Sequence, residues 1–398
     1  MRAGRYIKQK SGYRAFIPAP LPPDPPLRID AVTTKLLSDA DRALGRLDGV
    51  ATVLPNPDLF VAMYVRQEAV LSSQIEGTQS TLEDVLDYEA GGQVDNKPRD
   101  VEEVVNYVGA INHGLARLPE LPLSLRLIRE VHEKLMTGVR GQERQPGEFR
   151  RSQNWIGPQG CTLNDAEFIP PPPEDMNDAL GDFEKFLHKR DSMPELIHCA
   201  LAHAQFETIH PFLDGNGRVG RLLITLLLCE RKILSRPLLY LSHYFKAHRA
   251  QYYDRLTAIR NDGDWEGWLA FFLKGVCDVS LGATDTAKAI LKLQQGHREL
   301  ASSIRGNTGN SLTLLESLYT RPVINVRFAE QLLNCSYPTA NNLLDALTEK
   351  GILREITGAK RNRRWRYDQY MELFQRQALR GLPESDSDGR ATQQTNTS

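Results

Sequence analysis

At 398 residues and a formal net charge of −1, the chain is long enough for two or three domains with cores of their own, and it carries no overall charge to draw it to nucleic acid or an anionic membrane. Its five cysteines, Cys161, Cys199, Cys229, Cys277 and Cys335, are scattered without a Cys-x-x-Cys spacing, against both a disulfide framework and a zinc site. No apolar run reaches membrane-spanning length and the start of the chain lacks the apolar stretch of a secretion signal, so a cytoplasmic protein without a membrane partner is expected.

Residues up to about 30 carry Pro18, Pro20, Pro22, Pro23, Pro25 and Pro26, which predict an extended arm lying along the body. Helical periodicity follows over residues 31–47, 58–76 and 81–90, with Gly91 and Gly92 as a break. Within the second helix Ser72 and Glu76 stand four apart on one face, and Gly77 is placed to end it. From residue 99 to about 281 the pattern is helical, with Gly45, Gly138 and Gly263 near expected helix ends. The interruption is at 146–157 and 168–173, two short extended pieces around a loop with Gly160 and Asn164. Their prolines forbid a central strand and predict an edge hairpin, with Trp155 packed on the core.

An apolar helix over 196–209 leads into His210-Pro211-Phe212-Leu213-Asp214-Gly215-Asn216-Gly217-Arg218-Val219-Gly220-Arg221, and a second over 222–229 leads out. Gly215 and Gly217 permit backbone angles closed to other residues and Asn216 tolerates the left-handed region, so successive N–H groups can turn toward an anion. The following helix adds its unpaired first N–H groups and positive dipole end. Arg218 and Arg221 offer forks for outer phosphates, Asp214 is a hard oxygen ligand suited to Mg²⁺, and His210 can take a proton near neutral pH. The combination describes a base beside a clamped metal-triphosphate.

Beyond a Ser-, Gly- and Asn-rich stretch at 301–310, residues 311–374 read as three helices (312–319, 326–333, 337–350) and an extended pair starting at 351–353 and reaching 365–367. The turn between the strands, 358–364, is basic, and residues 383–398 lack apolar content and are expected to be disordered. The domains read as 1–98, 99–300, 311–375 and the tail.

The segment from His210 to Arg221 resembles the motif of the Fic/Doc family, His-x-Phe-x-(Asp/Glu)-Gly-Asn-(Gly/Lys)-Arg-x-x-Arg, at every fixed position. The resemblance implies a mainly α fold, a Fic helical core with a β-hairpin flap, and transfer of AMP from ATP, with Mg²⁺, to a Ser, Thr or Tyr hydroxyl of a target protein. By position, His210 is the base and Asp214 the metal ligand. Gly215, Asn216, Gly217, Arg218, Val219, Gly220 and Arg221 hold the nucleotide phosphates, and Tyr252 and Asn261 resemble nucleoside positions. Gly217 stands where Doc-like phosphotransferring relatives carry Lys.

Ser72, Glu76 and Gly77 resemble the inhibitory motif of one subclass, which implies that Glu76 pairs with Arg221 and spoils the pose of ATP. Bifunctional relatives imply that such a glutamate also serves AMP removal. The flap is implied to receive the target by strand addition. Residues 311–375 resemble a winged helix-turn-helix, with Pro338, Thr339, Asn341 and Asn342 on the recognition helix, which leaves DNA, a protein target or dimerisation as uses. A DNA-binding regulator that merely senses nucleotide, and a Doc-like kinase, remain the alternatives, and a homodimer stays open.

Overall fold

The computed structural model describes residues 2–53, 57–90, 100–139, 143–158, 160–190, 193–304, 306–358 and 361–379. The break expected at Gly91 and Gly92 and the tail from 383 lie outside them. The chain opens with strands β1 (Gly4–Lys8) and β2 (Arg14–Pro18), paired antiparallel from Gly4 opposite Pro18 to Lys8 opposite Arg14. The expected arm is thus partly a hairpin. Phe16 is buried, its N–H donates to Ile169 O at 2.9 Å, and Gln205 Nε2 donates to Ala19 O at 2.8 Å, so the arm is fastened to the body.

Helices α1 (Ala31–Val53), α2 (Pro57–Ile75), α3 (Leu82–Glu89), α4 (Val101–Arg117), α5 (Leu125–Met136) and α6 (Pro173–His188) follow. Gly45 does not end α1 but sits within it, where an added Cβ would meet nothing within 4 Å. Local signals fix the other ends. Thr81 and Asp84 form a reciprocal capping box on α3, Ser124 caps α5, and Pro173 opens α6. Between α5 and α6 the expected hairpin is, among the described residues, a single antiparallel bridge, Ile156 with Phe168, and Trp155 is 42% exposed instead of packed on the core.

Helix α7 (Glu195–Ile209) has no polar face: every residue from Leu196 to Ile209 is buried, which makes it the central rod. Helix α8 (Asn216–Glu230) is likewise buried from Arg218 to Leu228 and half-buried over its last two residues. Helices α9 (Ser242–Ala247) and α10 (Arg249–Asp262) lead to α11 (Trp265–Ser302), a 38-residue helix capped by Asp264. It runs through the start of the stretch expected to be a linker at 301–310.

The remaining elements are α12 (Thr308–Leu318), β3 (Val323–Asn325), α13 (Val326–Leu333), α14 (Tyr337–Glu349), β4 (Arg354–Glu355), β5 (Arg364–Arg366) and α15 (Asp368–Leu379). Strands run in the order β3-β5-β4, all antiparallel. Helix α15 was not anticipated. Its Tyr370 and Phe374 bury against α11 and α2, a long-range fit that no local periodicity signals.

Candidate active site

Helix α7 stops because His210 takes the left-handed conformation, φ 50°, with Pro211 behind it. Gly215 supplies the second left-handed residue, φ 75°, at the threshold of α8. Asn216, which tolerates that conformation, is the first residue of α8. Its side chain closes the loop from within: Oδ1 accepts from Phe212 N and Nδ2 donates to Phe212 O, both at 2.8 Å. The first N–H groups of α8 are left at the loop, where an anion would meet them.

Distant residues brace this loop, and sequence reasoning assigned none of them a role. Arg150 is 1% exposed; its Nε donates to His210 O at 3.0 Å and its Nη2 to Pro171 O at 2.6 Å. Asn154 Nδ2 donates to Phe212 O at 2.8 Å. His132 stacks on Phe212, with centroids 3.7 Å apart and planes within 4°. Gly147 N donates to His132 Nδ1 at 2.9 Å, which leaves the ring proton on Nε2 for Asp214 O at 3.1 Å. Burial pushes the His132 pKa down to about 4, so the ring is neutral.

His210 is also held neutral, its pKa pushed down to about 4 by burial and then by the charge of Arg150. Asp214, with a side chain 45% exposed, accepts from Gly215 N at 2.6 Å and lies 3.6 Å from Arg218. Arg218 points inward, to Glu103 at 3.2 Å and Met136 Sδ at 3.6 Å. Arg221, with a side chain 2% exposed, donates to Ser72 Oγ at 2.8 Å, to Ser72 O at 3.0 Å and to Glu76 Oε1 at 2.7 Å. Burial pushes the Glu76 carboxyl up, but Arg221 more than offsets this and holds it below its ordinary range. Gly217 lies under the pair, where a Cβ would come within 2.3 Å of Glu76 Oε1. Gly77 adopts φ 100° directly after the glutamate.

Val219 and Gly220 are buried, and Gly220 O accepts from His203 Nδ1 at 2.8 Å. The other ring nitrogen, Nε2, takes the Tyr252 hydroxyl at 2.9 Å, while the Tyr252 ring stacks on Phe245 at 4.5 Å. Tyr252, 1% exposed, therefore belongs to the packing beneath the loop, not to an open slot. Its neighbour Tyr253 is 38% exposed and feels the charges of Glu76 and Arg221. Asn261 is exposed and accepts from the Tyr6 hydroxyl at 3.0 Å. One further carboxylate was missed. Glu207, one turn before His210, is buried against Gly220, and burial pushes its pKa up to about 7.

Residues 34–116 match the Fic/DOC family N-terminal region and residues 122–228 the Fic/DOC family itself. The chain is 34% identical over 153 residues to the protein adenylyltransferase Fic of Aedes aegypti, covering 37% of this chain and 27% of that protein. To the Drosophila grimshawi protein of that name it is 33% identical over 154 residues, 38% of this chain and 28% of that one. The matches thus span little more than a quarter of those relatives. A Fic family protein from Desulfovibrio desulfuricans G20 superposes with a TM-score of 0.56 at 22% identity, over 86% of this chain and 97% of that one, a likeness of fold. The chain therefore carries both Fic/DOC family regions in order, with the loop between α7 and α8 inside the second.

Proposed function

We propose that the protein is an adenylyltransferase that moves AMP from ATP to a hydroxyl side chain of a target protein and that Glu76 holds it inactive. The observation that carries this is the Glu76–Arg221 contact of 2.7 Å at the mouth of the loop that presents His210. A guanidinium placed to take the outermost phosphate is occupied by a carboxylate of the chain itself.

In the proposed reaction the target oxygen attacks the innermost phosphorus of ATP. A new P–O bond forms, the bond to the bridging oxygen of the next phosphate breaks, and pyrophosphate departs. Neutral His210 accepts the hydroxyl proton. The N–H groups at the start of α8 and the forks of Arg218 and Arg221 hold the phosphates once Glu76 has swung away. Asp214 fits a magnesium ion: half-exposed, with one oxygen tied to Gly215 N, it offers the single carboxylate that Mg²⁺ uses alongside phosphates. That ion would offset charge on the leaving pyrophosphate. Tyr253, not Tyr252, presents an accessible ring for the base.

Labelled ATP tests the reading. Transfer of label from the innermost phosphate to protein, abolished in His210→Ala, is expected; transfer of the outermost phosphate would replace it with phosphorylation. Arg363 and Arg364 of the basic turn and Arg366 of β5 are engaged within the chain, with Asp345 at 3.0 Å, Asp87 at 3.0 Å and Glu83 at 2.9 Å, so we assign the C-terminal module to the protein's own body.

A further inference from the structure

The inhibitory segment is not an isolated helix. Helix α2, which ends one residue before Glu76, is fastened on its far side to elements near the end of the chain. The Tyr64 ring meets Phe374 of α15 edge-on, with centroids 5.2 Å apart, and Arg66 Nε donates to Glu89 of α3 at 2.8 Å. Helix α3 is in turn gripped by β5 through Arg364–Asp87 at 3.0 Å and Arg366–Glu83 at 2.9 Å. Only residues 76–81 join α2 to α3, and they are drawn onto α4 by Ser80 Oγ, which donates to Asp100 at 2.7 Å. A connection this short transmits a displacement of α3 to the glutamate.

The seam behind α2 is also imperfectly filled. A small cavity there is lined by Tyr64, Gln67, Glu68, Leu71, Tyr240 and Phe374. Glu68 is buried, with Oε1 accepting from Tyr107 at 3.1 Å and from Ser242, while its Oε2 and the Tyr240 hydroxyl lack a hydrogen-bond partner among the described residues. A close-packed seam would lock α2; one with a void and two unmatched polar groups lets it shift at low cost.

We propose that the C-terminal module is a latch on the inhibitory segment: β5 and α15 hold α3 and α2 where Glu76 reaches Arg221, and loosening that contact releases the glutamate. The inference rests on Glu76 as the brake and adds what keeps it applied.

Reversing charge on the α3 side, Glu83→Lys with Asp87→Lys, leaves the module's internal contacts in place. In the full chain it is expected to raise AMP incorporation about three- to tenfold, the reach of two partly exposed ion pairs, and to speed amide exchange across residues 66–76. Adding Arg364→Glu and Arg366→Glu should restore both to the starting level. In a Glu76→Gly background the reversal should change nothing, because there is no brake left to release. An unchanged rate and unchanged exchange, or an equal rise in the Glu76→Gly background, would overturn the latch. Should Glu76→Gly itself transfer no AMP, the adenylyltransferase reading fails, and the exchange of residues 66–76 still decides the latch.

Discussion

Arg221 is a buried cation whose charge has to be met, and the chain meets it with Ser72 and Glu76. Removing a hydrogen bond to a charged group costs about 1.5–3 kcal/mol, so Glu76→Gly should raise the AMP transfer rate by about tenfold or more, measured as label incorporated per enzyme. Ser72→Ala removes the Nε partner but leaves the glutamate, so its rise should be smaller than that of Glu76→Gly in the same assay. His210 has its pKa lowered from 6.5 to about 4, so the ring is deprotonated throughout the neutral range. The pH profile of Glu76→Gly should therefore be flat from about pH 6 to 8 and fall only as acid approaches the lowered value. Ser72 and Glu76 were legible because four-residue spacing on a helix is local. Tyr252 misled for the opposite reason: a tyrosine in a helix gives no sign of which face is buried, and here His203 and Phe245 claim it.

The loop between α7 and α8 is rigid because elements far along the chain hold it. His132, Arg150 and Asn154 reach it from α5 and the segment after it. The loop's outline could be read from Gly215, Pro211 and the flanking apolar runs. Its braces could not, since a side chain's partner across tens of residues is set by tertiary packing alone. The N-terminal hairpin and α15 went unforeseen for the same reason. Packing between the two helices is equally tight: a Cβ on Gly220 would lie 2.3 Å from Glu207 Oε1 and 3.3 Å from the Phe206 ring. Gly220→Ala should destabilise the fold by about 1–3 kcal/mol, read as a lower denaturant midpoint with an unchanged slope.

Across the molecule, burial shapes the response to acid. His132, His198 and His210 have pKa values lowered from 6.5 to about 4, and His203 to about 3, so the folded chain refuses protons that the unfolded chain accepts between those values and 6.5. Glu68 and Glu207, raised from 4.5 to about 7, act in the opposite sense between pH 4.5 and 7. Four histidines outweigh two glutamates, so the melting temperature should be lower at pH 5 than at pH 6.5. The same scale gives α11 its meaning. Its 38 residues extend about 57 Å at 1.5 Å each, with Trp268 and Phe272 buried near its start and His297 and Ala301 buried near its end, where α12 and α15 pack. A shortened gene product ending near residue 300 would therefore not be a tidy enzyme minus an accessory: it would bare the face of its longest rod that α12 and α15 cover, and aggregation would be mistaken for lost activity.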